Sequence, residues 1–99
     1  MIIVAGKVAI RPERRAAAIQ VALRMAEATQ SEPGCITYQF FADLKDPNTI
    51  FVFEAWETEE ALAQHFQTDH MKAFQQELPK FVAGEMDIKR YQVESVSAI

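Results

Sequence analysis

The stretch EAWETEEALAQHFQTDH, residues 54–70, concentrates the groups in this chain that are suited to proton chemistry. Glu54 stands two residues before Trp56, the only tryptophan, and His65 and His70 are the only histidines. A carboxylate and an imidazole are the side chains most often used as general bases. An unperturbed imidazole titrates at about 6.5, which suits proton transfer near neutrality and makes His65 the first candidate base. Trp56 offers a flat apolar wall and an indole N–H donor. Tyr38, earlier in the chain, offers a phenolic donor, or packs between strand and helix. These four, Glu54, Trp56, His65 and Tyr38, are the catalytic candidates.

Each candidate has a plainer reading. A buried Glu54 must be protonated or paired, and an ion pair with Lys7, Lys89 or Arg90 on a neighbouring strand is the favoured alternative to an acid/base role. Trp56 can equally be interface packing. His65 can be a half-buried structural donor. His70 follows His65 by five residues, about 140° around a continuous helix, so the two cannot share a metal ion there; a break at Thr68-Asp69 would bring them closer. His70 reads first as a hydrogen-bonding residue at a helix start. Phe53, Phe66 and Met71 read as core or pocket lining and, with His70, make up the expected substrate-contacting set. Cys35 has nothing near it in sequence that would activate a thiolate.

The elements that must position these residues are legible from periodicity and punctuation. Ile2 to Ile10 is a strand bounded by Arg11-Pro12. Pro12 and Glu13 suit a helix start, and an alanine-rich segment without Gly or Pro runs to about Ser31. Pro33-Gly34 ends it. Cys35 to Ala42 is a second strand, Lys45 to Asn48 a turn, and Thr49 to Glu57 a third strand returning antiparallel. Thr58 caps a helix carrying Leu62 and Phe66, and Thr68 or Asp69 caps a further helical stretch to Pro79. Glu85 to Val93 is the last strand, and the tail VESVSAI is apolar enough to dock. The order βαββαβ in 99 residues predicts one α+β domain of ferredoxin-like topology, a four-stranded antiparallel sheet with helices on one face.

The third strand is apolar on both sides. Phe51, Phe53 and Ala55 alternate with Ile50, Val52, Glu54 and Trp56. The purely apolar Phe51/Phe53/Ala55 side is expected under the helices. The Glu54/Trp56 side is then expected to be covered by a second copy, giving a homodimer through sheet faces.

The other classes are limited by composition. A net charge of −4 without a basic aromatic patch gives no reason to expect nucleic acid. No apolar run approaches the ~20 residues of a membrane span, and the N-terminus reads as a strand rather than a signal peptide. A lone cysteine suits a reducing, cytoplasmic setting. No glycine-rich phosphate loop, nucleotide fingerprint or metal-type cysteine spacing is present.

The ordered set Glu32-Pro33-Gly34, Tyr38, Asp46-Pro47, Glu54-x-Trp56, Glu59-x-Ala61, His65 and His70, across residues 32–74, resembles the antibiotic biosynthesis monooxygenase family of dimeric α+β barrels. The resemblance implies a pocket in each subunit, between sheet and helices or at the barrel lining. It also implies oxidation of quinols, phenols or anthrones by molecular oxygen with no flavin, metal or haem. Other branches degrade haem or isomerise a phosphorylated sugar. The polyketide-oxygenase branch places an Asn four residues before the Trp and a Tyr six after it; Val52 and Leu62 stand there. The haem-degrading branch has an Asn in the middle of the first strand, where Gly6 and Lys7 stand. The sugar-isomerase branch has Tyr in place of Trp56. The quinol-oxidising branch is closest in general pattern, so the expected activity is a cofactor-independent monooxygenase acting on an aromatic small molecule. The alternatives are an isomerase of a small sugar-like metabolite and a non-catalytic binding dimer.

Overall fold

The computed structural model describes residues 1–99. Four strands, β1 (Ile2–Ile10), β2 (Cys35–Ala42), β3 (Thr49–Trp56) and β4 (Val82–Gln92), form one antiparallel sheet in the order β2-β3-β1-β4. Helix α1 (Arg15–Gln30) follows a 3₁₀ turn at Pro12–Arg14, and α2 (Glu59–His65) and α3 (Asp69–Glu77) follow β3. This is the α+β, ferredoxin-like fold expected from the element order.

The local signals act as physical chemistry predicts. Thr58 Oγ1 accepts from the Ala61 amide at the start of α2, and Thr68 Oγ1 accepts from the Met71 amide at the start of α3. Gly34 ends the α1–β2 connection at φ 81°, a left-handed conformation that any side chain would strain. A Cβ there would also lie 2.5 Å from the Ala61 Cβ, so Gly34 lets β2 begin tight against α2.

The strand faces are the reverse of the expectation. Val52, Glu54 and Trp56 lie under the helices, in a core with Ile2, Met25, Tyr38 and Leu62. Phe51 and Phe53 lie on the outer side, where Phe51 is 38% exposed. The physical reason is that apolarity alone does not decide a face. Trp56 is the largest side chain of the strand and takes the deepest place, 0% exposed. Strand alternation then carries Glu54 inside with it, where the indole N–H gives the carboxyl a partner. The outer face keeps aromatic groups, Phe51 and Tyr91 among them.

Two boundaries and one docking expectation also differ. The last strand begins at Val82, so Gly84 lies within it and does not precede it. The first helix begins as a 3₁₀ turn before α1. The C-terminal tail is held to its own chain only at its start, where the Val93 amide donates to the Met1 carbonyl at 3.0 Å; Val96 and Ile99 are exposed on the single chain. No helix is long and apolar enough to cross a membrane.

Candidate active site

Between the sheet and α1 and α3 lies a cavity of about 510 Å³. Twenty-one of its 24 lining residues are hydrophobic, so it is an apolar cleft, partly open to solvent, suited to a ligand of several rings. The exceptions are Glu54, Arg15 and Gln75. Glu54 is 8% exposed, and its Oε1 accepts from Trp56 Nε1 at 3.0 Å. Burial raises its pKa from the ordinary carboxylate value to about 7; the Trp56 hydrogen bond opposes the rise, and the charge of Glu32 adds to it. A carboxyl group with that pKa is poised between acid and base at neutral pH. The expected ion pair does not form: Lys89 reaches Asp87 at 2.8 Å and Arg90 reaches Glu59 at 3.8 Å.

Tyr38 pairs with Glu54 across the β2–β3 ladder and also lines the cavity. The one side-chain hydrogen bond that reaches Tyr38 ends on its backbone carbonyl, from Gln30 Nε2 at 3.2 Å. Burial, with the charges of Glu54 and Glu32, drives its pKa far above the ordinary phenol value. The phenol therefore stays protonated and remains a donor.

His65 stands behind this wall. It is 1% exposed, its ring lies 4.8 Å from that of Trp56, and it is not among the cavity-lining residues. Its Nδ1 is 2.9 Å from Glu32 Oε2, and His70 Nε2 is 2.6 Å from the same oxygen. The helix does break after His65, at Thr68, and the break is what lets both imidazoles converge on one carboxylate. Ligand atoms of Glu32, His65 and His70 all lie within 4.8 Å of one another, a set compact enough for a divalent ion. The Nε2 of His65 is buried without a partner.

The remaining expected residues divide. Phe66 and Met71 line the cavity with Phe40 and Phe74. Phe53 does not; it pairs with Ala5 and Gln39 on the outer side of the sheet. His70 contacts Glu32 and is not a lining residue. Sequence reasoning passed over two residues. Glu32 enters the sequence pattern only within the Glu32-Pro33-Gly34 piece of the family resemblance, with no role attached, although a carboxylate just before a turn is well placed to meet a later helix. Arg15 carries no motif or spacing signal that would single it out in the sequence. Cys35 has its pKa raised by burial and by Glu32 and Glu54, in keeping with an unreactive thiol.

A ferredoxin-like subunit with an apolar cavity between sheet and helices, and a neutral-range carboxyl on its wall, describes a small-molecule-binding α+β protein. Comparison with known proteins narrows the class. The family model described as antibiotic biosynthesis monooxygenase matches residues 1–77, and the chain belongs to that family. An uncharacterized protein of Synechocystis is 33% identical over 98 residues, covering 99% of this chain and 67% of the relative. The crystal structure of a conserved protein from Methanosarcina mazei superposes with a TM-score of 0.87 at 30% identity, covering 92% of this chain and 90% of that one. A presumed antibiotic biosynthesis monooxygenase from Deinococcus radiodurans superposes at 0.92 with 25% identity, covering 100% and 98%.

Proposed function

We propose that the protein is a cofactor-independent monooxygenase that oxidises quinols, phenols or related aromatic molecules with molecular oxygen, and that Glu54 is its base. The observation that carries this reading is a buried carboxyl with a pKa of about 7 on the wall of an almost wholly apolar cavity. An ionised Glu54 takes the proton from an acidic C–H or phenol of the bound substrate. The resulting anion passes one electron to oxygen, and the substrate radical and superoxide combine into a carbon-bound peroxide. Protonated Glu54 returns its proton to that peroxide. Loss of water leaves a new carbonyl, so one oxygen atom enters the product and the other leaves as water. Tyr38 donates to the substrate anion, and an aromatic substrate seated on the apolar lining displaces water from the Glu54 end.

In this scheme Trp56 fixes the carboxyl by its N–H, and His65 holds Trp56 from behind, bonded to Glu32. The base is thus assigned to Glu54 rather than to His65, because Glu54 faces the cavity. The sugar-isomerase alternative is disfavoured by the same cavity, since 21 hydrophobic residues among 24 offer little to hydroxyl groups. Two copies pair through the outer sheet face, burying Phe51 and Tyr91, which are 38% and 49% exposed in the single chain.

Oxygen consumption with reduced naphthoquinols and anthrones, corrected for autoxidation, tests the activity. Uptake that depends on the enzyme and falls at least a hundredfold in Glu54→Gln, with the fold intact, supports both the reaction and the base. Uptake unaffected by that substitution sinks the assignment of Glu54.

A further inference from the structure

The cavity has two polar ends. Glu54 and Tyr38 face it beside Val4 of β1, and Arg15 faces it near the other end of that strand, where Ile10 and Leu78 also line it. Glu54 pairs with Val4 and Ile50 with Val8, so about 13 Å of strand separates those two positions on the cavity floor. Arg15 lies beyond Ile50: its Nε donates to the Pro47 carbonyl at 2.7 Å. That bond fixes the guanidinium plane through one of its five donors and leaves the Nη groups available. None of the chain's ion pairs uses Arg15. It is half-buried and is the only cationic residue on the lining.

That placement gives the guanidinium one carbonyl partner and no carboxylate partner within the chain. Arg15 follows the Pro12–Arg14 turn that opens the helix, and it makes no ion pair with Glu13, the one acidic residue of that turn. A guanidinium with free Nη donors beside an apolar wall is chemically suited to hold a carboxylate on a ligand.

We infer that Arg15 is an anion subsite at the far end of the cavity, and that the substrate is an elongated aromatic acid. One end of that substrate carries the phenol or acidic C–H presented to Glu54, and the other carries a carboxylate held by Arg15. The inference rests on the proposed function for the Glu54 end; the Arg15 end stands on the cavity and the unpaired guanidinium. Arg15 acts on affinity and orientation and takes no part in proton transfer.

Calorimetric binding tests this with three probes that share one ring system: 4′-hydroxybiphenyl-4-carboxylate, its methyl ester and 4-hydroxybiphenyl. The wild-type protein is expected to bind the acid about tenfold tighter than the neutral pair, as a charge-assisted fork–carboxylate contact provides. Arg15→Gln is expected to abolish that preference while keeping the affinity for 4-hydroxybiphenyl, which also certifies that the variant's cavity is intact. Arg15→Lys is expected to retain part of the preference through its point charge. Equal binding of acid and ester by the wild type, or a preference that survives in Arg15→Gln, overturns the subsite and leaves the apolar pocket standing. Failure of all three probes to bind overturns the subsite and the pocket reading together.

Discussion

Replacing Trp56 by Phe removes the hydrogen-bond donor that stands behind Glu54, outside the cavity lining, and keeps an aromatic ring in the core. The indole N–H donates to Glu54 Oε1 at 3.0 Å, and this bond holds the Glu54 pKa below where burial alone would put it. A hydrogen bond to a charged group contributes about 1.5–3 kcal/mol, part of which the protonated acid would also gain. A net preference for the carboxylate of about 1.4 kcal/mol corresponds to one pKa unit. The Glu54 pKa, about 7 in the wild type, is therefore expected to rise by about one unit in Trp56→Phe. As the proposed base, Glu54 works only when ionised, so the acidic limb of kcat/KM is expected to move to higher pH. At pH 7 the ionised fraction falls from about half to about a tenth, a loss of about fivefold that is recovered near pH 9. Oxygen uptake measured from pH 5 to 10 for both proteins, with one substrate, gives the two limbs side by side. A limb that does not move, or a loss that persists at pH 9, refutes the coupling of Trp56 to Glu54.

Other consequences can be checked on the folded protein alone. Because the pKa of Glu54 is raised on folding, its ionisation opposes folding: the penalty is absent below about pH 4.5, grows as pH rises to about 7 and is complete above. Glu54→Gln is expected to unfold at higher urea than wild type at pH 8, by up to about 3 kcal/mol, with the difference vanishing toward pH 4; a constant difference across that range would contradict it. His65→Ala removes a side chain 1% exposed and deprives Glu32 of a partner, and is expected to cost about 2–4 kcal/mol in urea unfolding. His70→Ala, at a position 31% exposed, is expected to cost only about 1 kcal/mol. Phe51→Arg, on the outer sheet face, is expected to convert a dimer to monomer in sedimentation velocity without loss of secondary structure; an unchanged mass places the pairing surface elsewhere.

Much of this architecture could be read from the chain because the punctuation is local. Pro33-Gly34, Thr58 and Thr68 each act on the backbone within a few residues, and strand and helix boundaries followed from them to within a few positions. The break between α2 and α3 was visible at Thr68 for the same reason. What the chain did not disclose depends on partners far away in sequence. Whether Glu54 turns in or out is decided by the volume of Trp56 and by the indole N–H, and polarity taken alone points the wrong way. The convergence of His65 and His70 on Glu32 spans 33 and 38 residues, so no local pattern carries it. The cavity itself is a property of how α1 and α3 lie on the sheet; it separated Phe66 and Met71, which line it, from Phe53, which lies on the other side.

The proposed base and the apolar wall of the cavity belong to parts of the molecule with different tolerances. Glu54 and Trp56 sit on β3, an inner strand bonded to neighbours on both sides. Met71, Phe74 and Leu78 belong to the segment from α3 onward, whose start is tied down chiefly by the Thr68 cap and by the His70 contact with Glu32. Substitutions along that segment can reshape the cavity while leaving the inner strand's ladder in place. Appetite for new compounds can thus diversify among descendants of this fold while the strand that carries the proposed base is inherited whole.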